Sequence, residues 1–299
     1  MKWENLREEE FEGAIERSGG LCVIPIGCLE KHGQHLPVGA DTMQARMLAE
    51  AAAEVEEVTI FPAAMWLGDV MGFHADLEPG KVGKRGGIGI NPHTLLTVME
   101  ELCDEIARNG YRKILFLNFH GGNVALLDFF VRAQYYKPRT YATMWAWAAT
   151  DKQIDPRDVY PTVLERREEF SYLTDADMEA LEKFARTGPG GGHGDWKETG
   201  LMLGYDASLV AQDRYDAESG MSTHRADHLS RLGISCGRFW PSNFPNSYSG
   251  YPPFGCSENI GKVMIKLSVE RLAAMFKAIK EDEDCVAMSM RLPRAEKKD

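Results

Sequence analysis

The sequence lacks several features that would place the protein in a specialised class. It has six cysteines in 299 residues but no Cys-x-x-Cys pair, which argues against a disulfide framework or a zinc ribbon and favours reduced thiols. No apolar run approaches the roughly 20 residues that are needed to span a bilayer. The first ten residues, MKWENLREEE, are too charged for a secretory signal peptide. Internal repeats and low-complexity linkers are absent as well.

Positive charge is also scarce. The chain has 34 Lys and Arg against 45 Asp and Glu, a formal net charge of −11. A nucleic-acid partner is therefore disfavoured, because phosphate contacts need clustered basic side chains. With 44% hydrophobic residues, the composition predicts an acidic, soluble, cytoplasmic protein. One compact domain over residues 1–299 is the simplest organisation.

Short apolar runs alternate with helical patterns along the chain. Leu21–Ile26 (LCVIPI) and residues 113–117 (KILFL) are apolar throughout, which is typical of parallel strands buried on both faces. We therefore predict an α/β fold, a three-layer domain with a mostly parallel sheet. Two stretches fit this scheme poorly. We expect 152–187, with one helix at 175–186, and 212–256 to be insertions or long loops over one face.

Residues with metal-binding chemistry follow the first apolar run directly, in the segment GCLEKHGQHLPVGAD at 27–41. Glu30 and His32 are two residues apart, so in an extended chain they project to the same side. Asp41 lies where the next helix is predicted to begin. Carboxylate and imidazole are ligands of Zn²⁺ and Mn²⁺. We interpret the three residues as metal ligands, against the alternatives of structural histidines and an Asp41 helix cap.

A second segment, NFHGGN at 118–123, follows the run KILFL. His120 thus lies at the carboxyl end of a buried strand, and this edge is where open α/β sheets bind ligands. Two separate segments are therefore predicted to bring metal-type ligands to the same edge of one sheet.

A third segment, GPGGGHGDWKETG at 188–200, is rich in glycine. It lacks the Gly-Lys-Ser/Thr ending of a phosphate loop, and its spacing is not that of a dinucleotide fingerprint. We interpret it as a flexible loop that carries a polar site. His193 and Glu198 are candidates for proton transfer or for a further metal contact.

The other histidines and the tryptophans are weaker candidates. His74 could line the pocket, while three further histidines are predicted at the surface or in caps: His93, His224 and His228. Three tryptophans are most simply core residues, although one of them could form an apolar wall over a flat substrate: Trp145, Trp147 and Trp196.

Together these segments resemble the creatininase (creatinine amidohydrolase) family. The likeness covers residues 25–42, 118–123 and 192–199, with a weaker echo at 248–261, in the order in which the family has them. The resemblance implies a single α/β domain that assembles into homo-oligomers, often hexamers. It also implies two divalent metal ions per subunit, Zn and/or Mn.

The same resemblance implies an assignment of metal ligands. Glu30, Asp41 and His120 would hold one ion, and His32 together with a bridging Asp41 would hold part of the other. His35 would orient a ligand without binding metal.

The chain departs from creatininase itself at one ligand position. In creatininase a Glu two residues beyond the His that matches His120 completes the second metal site, and this chain has Gly122 there. Glu198, the matching acid of the third segment, is the best substitute. The departure argues against creatinine itself as the substrate, because relatives with the Gly-Gly form include enzymes that cleave formamides or a peptide and one that opens an oxidised inositol ring.

The activity implied by the resemblance is hydrolysis of a carbonyl compound. A hydroxide held between the two metals would attack the carbonyl carbon, and His193 or Glu198 would protonate the leaving group. Cleavage of a C–N bond in a small cyclic amide is the first expectation, and hydrolytic C–C ring opening of an oxidised inositol is the alternative. A non-catalytic metal-binding protein is disfavoured because the proton-transfer candidates are retained, and a nucleotide-binding protein because the fingerprint is missing. Neither a nucleic acid nor a membrane is expected as a partner.

Overall fold

The computed structural model describes residues 1–68, 85–188 and 191–291. His74 lies outside these ranges. Four strands form one parallel sheet in the order β2-β1-β3-β4. The strands are β1 (Leu21–Ile26), β2 (Thr59–Ile60), β3 (Lys113–Asn118) and β4 (Ala142–Trp147).

Twelve α-helices accompany the sheet in the described ranges. They are α1 (Phe11–Arg17), α2 (Ala40–Val55), α3 (Pro92–Arg108), α4 (Asn123–Ala133), α5 (Asp151–Ile154), α6 (Pro156–Glu165), α7 (Asp175–Thr187), α8 (Trp196–Asp206), α9 (Asp227–Ser230), α10 (Phe239–Asn243), α11 (Glu258–Glu281) and α12 (Asp284–Met290). Within the described ranges, no helix is both long enough and apolar enough to cross a bilayer.

Side chains of β1, an inner strand of the sheet, contribute to both hydrophobic cores. Leu21 and Val23 pack into a core with α2, α8 and α11, whereas Cys22 and Ile24 pack into a second core with α3 and α4. This division follows from the two-residue period of a strand, which turns successive side chains to opposite faces. Helices therefore cover both faces of the sheet, and the prediction of a three-layer α/β fold is confirmed.

The helix predicted at 175–186 is confirmed as α7, but the prediction that the rest of 152–187 forms loops is wrong. The stretch forms α6 and α7, as well as most of α5, and it contributes buried side chains to the first core. Val159 and Val163, one helical turn apart, are both fully buried. A narrow apolar stripe on an otherwise charged helix is enough to hold it against the core, and the high charge of this stretch obscured that stripe. By contrast, 212–256 is mainly irregular, as expected, with the short helices α9 and α10.

The strand order creates a binding crevice at one edge of the sheet. The chain passes from β1 to β2 on one side and then returns to place β3 on the other side of β1. Where the order reverses, the connections leave the carboxyl ends of the strands in opposite directions and open a crevice. Ile26 and Asn118, the last residues of β1 and β3, are register partners. The two segments that follow these strands therefore begin side by side.

Candidate metal centre

Six polar side chains from the three predicted segments meet at the crevice. Each belongs to a residue no more than 9% exposed. They are Glu30, His32, Asp41, His120, His193 and Glu198.

Asp41 stands between two histidines. Its Oδ1 lies 2.9 Å from Nε2 of His32, and its Oδ2 lies 3.0 Å from Nδ1 of His120. Asp41 is the second residue of α2, whose N-cap is Gly39, and no side chain caps that helix. The interpretation of Asp41 as a helix cap is therefore wrong, because both of its oxygens face the crevice.

Close packing of β1 on α2 brings Asp41 to this place. A Cβ on Gly27 would lie 2.4 Å from the backbone nitrogen of Thr42, so only glycine allows the end of β1 to pass so near the start of α2. Asn123 connects the second segment to the same point. Its Nδ2 donates to the carbonyl of Gly27 at 3.0 Å and to Oδ1 of Asn118 at 2.9 Å.

Backbone hydrogen bonds fix the tautomers of two histidines. Nδ1–H of His32 donates to the carbonyl of Glu30 at 3.1 Å, and Nε2–H of His193 donates to the carbonyl of Lys31 at 2.9 Å. Because a carbonyl only accepts, the hydrogen of each neutral ring belongs on that nitrogen. The other nitrogen of each ring, with its lone pair, then faces a carboxylate: Asp41 at 2.9 Å for His32, and Glu30 at 3.6 Å for His193.

Lone pairs that face each other in this way need a cation between them, either a proton or a metal ion. Imidazole whose second nitrogen is held by a carbonyl is the usual arrangement of a metal-ligating histidine. The donor set of nitrogen and carboxylate oxygen therefore fits Zn²⁺ or Mn²⁺.

The donor atoms form three overlapping groups, and within each group all atoms lie within 4.8 Å of one another. The groups are Cys28, Glu30, Asp41 and His120; Glu30, His32 and His193; and His32, Asp41 and Glu198. Asp41 belongs to two of these groups, and its two oxygens contact different histidines.

Neighbouring charges in the site shift the pKa values of its side chains strongly. Burial alone would raise the pKa of Glu30, but the positive charges of His193 and His120 outweigh it and lower that pKa to about 2. Burial would lower the pKa of His32, but the carboxylates of Asp41 and Glu198 raise it to about 10. Protons thus neutralise the site when no metal is bound, and a metal ion must displace them.

Glu198 lies in the first turn of α8, yet its side chain does not cap that helix. Asp195 is the N-cap, and its Oδ1 accepts from the backbone nitrogens of Lys197 and Glu198 at 3.0 and 3.4 Å. Oε2 of Glu198 instead accepts from the backbone nitrogen of Gly194 at 2.6 Å and lies 3.6 Å from Nε2 of His32. Burial raises the pKa of Glu198 to about 7 against the opposing charge of His32.

His35 holds the third segment in place. Its Nε2 donates to the carbonyl of Gly194 at 2.8 Å, in a turn where Gly194 has a φ of 64°. Burial lowers the pKa of His35 from 6.5 to about 4. The ring is therefore neutral at pH 7, and its hydrogen bond positions the turn between His193 and Glu198.

The low pKa of His35 predicts a loss of stability in acid. Between pH 6.5 and pH 4, His35 is protonated in the unfolded chain but stays neutral in the folded protein. The free energy of unfolding therefore falls as the pH falls. The shift corresponds to at most about 3 kcal/mol. Urea unfolding at a series of pH values, with a chelator present, should show a steeper acid decline for the wild type than for His35→Asn. Parallel curves for the two proteins would contradict this origin.

Two site residues were missed by sequence reasoning. Sγ of Cys28 donates to Oδ2 of Asp41 at 3.1 Å, although Cys28 was counted among ordinary reduced thiols. Its position two residues before Glu30 was the signal that could have revealed it. The ring of Trp240, in α10, lies 5.0 Å from that of His193 at an interplanar angle of 89°. No motif marked this tryptophan, because it lies in an irregular segment.

The structure also shows where the weaker candidates among the tryptophans and histidines lie. Trp196 is fully buried in the first core, and Trp147 lines a cavity beside the site. Three histidines are exposed, as predicted: His93, His224 and His228.

The donor groups open onto two neighbouring cavities. One, of about 300 Å³, is lined by five of the six site residues and by Trp240. The other, of about 350 Å³, is lined in part by Trp147 and Lys197. The cavities share Gly121, Gly192 and Glu198, so a ligand in the second cavity lies next to the site.

Comparisons with known proteins relate the chain to one family. The family described as creatininase (creatinine amidohydrolase) matches residues 4–276. Creatinine amidohydrolase of Pseudomonas putida is 22% identical over 116 residues, 38% of this chain and 43% of that protein. Mycofactocin precursor peptide peptidase of Mycobacterium tuberculosis (strain H37Rv) is 32% identical over 111 residues, 35% of this chain and 42% of that protein. The chain thus spans less than half the length of the curated relatives that it matches.

Solved structures agree at the level of the fold. A manganese form of creatininase superposes with a TM-score of 0.67 at 17% identity, over 94% of this chain and 99% of that chain. A mutant creatininase of the Zn–Zn type gives 0.66 at 17% identity, over 94% and 98%. Since the family match spans nearly the whole sequence, the chain belongs to the creatininase family.

Proposed function

We propose that the protein is a divalent-metal-dependent hydrolase that attacks the carbonyl carbon of a small substrate, with the C–N bond of a cyclic amide as the first candidate. The observation that carries the proposal is the position of Asp41, whose two oxygens contact two different histidines. A carboxylate shared in this way supports a site for two ions rather than for one.

Two metal positions follow from the donor groups. Glu30, Asp41 and His120 would hold one ion, and His32, Asp41 and Glu198 would hold the other. These residues would hold Zn²⁺ and/or Mn²⁺, which would supply a lower pKa for a bound water and polarisation of a carbonyl oxygen. Burial of the ligands keeps bulk water away, which strengthens every charge interaction in the site.

The proton transfers are assigned to the chain's own side chains. If Glu198 is not a metal ligand, its pKa, raised to about 7, suits it to hold a proton near neutral pH and to release it to a leaving nitrogen. His193 is the second candidate. It borders the cavity, and its Nδ1 faces Glu30. Trp240 packs edge-on against the His193 ring and so restricts its orientation.

A small ring is the substrate that these cavities suit best. At about 300 and 350 Å³, each lies at the lower end of the range for small-molecule sites. Trp147 offers an apolar wall in the cavity next to Glu198. The family description and the P. putida relative also support a cyclic amide.

A peptide amide is the second candidate. The peptide peptidase relative is more similar over its matched segment, at 32% identity, than the creatinine amidohydrolase is, at 22%. A further cavity of about 630 Å³ shares Gly192, His193 and Trp240 with the site and extends to Arg157. This additional space supports binding of a longer chain.

A substrate screen of metal-loaded protein tests the proposal. We expect mass-spectrometric detection of hydrolysis of a cyclic amide, a formamide or a short peptide, and loss of that activity on chelation. An inositol-derived diketone in the same screen tests the C–C alternative. Stoichiometric metal binding without turnover of any of these compounds would contradict the hydrolase proposal and favour a non-catalytic metal-binding protein.

We also propose a single domain that assembles into homo-oligomers. The family match over residues 4–276 supports one domain. Leu232 and Ile234 are 75% and 48% exposed, and a second copy of the chain would offer cover for such side chains. Light scattering coupled to gel filtration would give the mass, and a monomer at micromolar concentration would contradict the oligomer.

A further inference from the structure

We propose that Cys28 is a fourth ligand of the metal position formed by Glu30, Asp41 and His120, and that its sulfur makes this position prefer zinc to manganese. This inference rests on the proposed two-metal function. It adds a ligand of a different chemical kind to one of the two positions.

The geometry supplies the first argument. Sγ of Cys28 lies 3.1 Å from Oδ2 of Asp41, the same oxygen that contacts His120 at 3.0 Å. All four donor atoms of this group lie within 4.8 Å of one another. Cys28 precedes Glu30 by two residues after β1, and both side chains reach the same point. The sulfur is therefore already among the ligands and needs no rearrangement of the chain to reach a metal ion.

The other cysteines show that this placement is specific. Cys22 and Cys103 are fully buried in the second hydrophobic core. Cys256 lies in the first core, with its sulfur 3.8 Å from the carbonyl of Trp196. Among the residues that the structure describes, Cys28 is the one cysteine that shares a donor group with carboxylate and imidazole.

Ligand chemistry then distinguishes the two metal positions. Thiolate sulfur selects Zn²⁺ over Mn²⁺, whereas carboxylate oxygen suits Mn²⁺. Binding exchanges the S–H bond for a sulfur–metal bond. The proton leaves to solvent, and no oxidation or reduction takes place. The position of His32, Asp41 and Glu198 has only nitrogen and oxygen donors and accepts either ion.

Coordination number points to a division of roles. With Cys28, the first position has four protein ligands, which is the number of a closed zinc site. The second position has three, which leaves room for water or substrate. We therefore expect the substrate to approach the second ion, beside Glu198 and the cavity that Trp147 lines.

Cobalt substitution tests the sulfur ligand directly. Chelator-treated full-length protein is titrated with Co²⁺, and the near-ultraviolet spectrum is followed for sulfur-to-cobalt charge transfer. The wild type and the matched variant Cys256→Ser, which replaces another buried cysteine, should develop this band. Cys28→Ser should lack it while still binding cobalt. A wild-type cobalt protein without the band, or a band that persists in Cys28→Ser, overturns the proposal.

Metal competition gives a second readout. The wild type and Cys28→Ser are dialysed against equimolar Zn²⁺ and Mn²⁺, and bound metals are quantified. Because the thiolate is the ligand that favours Zn²⁺ over Mn²⁺ at this position, the ratio of bound zinc to bound manganese should fall in the variant. An unchanged ratio overturns the zinc preference. Two bound ions without the charge-transfer band would refute only the role of Cys28, whereas a wild type that binds no ion would refute the proposed function as well.

Discussion

Asp41→Ala is expected to abolish binding of both metal ions and, with them, activity. Its two oxygens contact His32 and His120 separately, so one substitution removes a ligand from each position. The remaining histidines would then lack the carboxylate that lies between them. Metal content after gel filtration measures the effect, and His32→Ala should lose mainly the second ion.

A matched control separates this effect from general destabilisation. Asp177 is also buried, but it lies in the first turn of α7 and accepts hydrogen bonds from Thr174 and Asn259. Asp177→Asn should lower the free energy of unfolding and still retain both ions. If Asp41→Ala binds as much metal as Asp177→Asn, Asp41 does not bridge.

The location of the site was predictable from sequence because it depends on strand ends. The apolar runs at 21–26 and 113–117 identified β1 and the body of β3, and both are followed directly by polar segments. Carboxyl ends of parallel strands meet at one edge, so His120 was expected near Glu30 and is found 2.9 Å from it. The contact between His120 and Glu30 is long-range in sequence, but it could be predicted from local patterns because pairing of β1 with β3 aligns the ends of the two strands.

Other features depend on tertiary contacts that leave no local pattern. Nδ1 of His193 faces Glu30 with its lone pair because Nε2–H donates to the carbonyl of Lys31. Residue spacing in the sequence does not predict this hydrogen bond. Trp240 reaches the site from a segment without periodicity. Glu198 can turn toward the crevice, as its predicted ligand role requires, because Asp195 occupies the N-cap of α8.

Glu198→Gln is expected to lose one metal ion and nearly all activity. The resemblance to creatininase implies an acid at the position of Gly122, and Glu198 is a carboxylate that joins His32 and Asp41 in one donor group. An amide keeps the size of the side chain but is a much weaker metal ligand than a carboxylate. Metal analysis and turnover of the purified variant, side by side, measure both losses.

The same variant distinguishes the ligand role from a proton-transfer role. If Glu198 only shuttles protons, Glu198→Gln should keep both ions, turn over more slowly by about 10²–10⁴-fold, and lose the limb of the pH–rate profile near pH 7 that its raised pKa predicts. Glu258→Gln, in the first turn of α11, is the control for helix-terminal charge alone, which is worth about 1 kcal/mol at most. Full activity with both ions in Glu198→Gln would contradict both roles. That result would leave only an electrostatic contribution to α8, whose cap Asp195 already supplies.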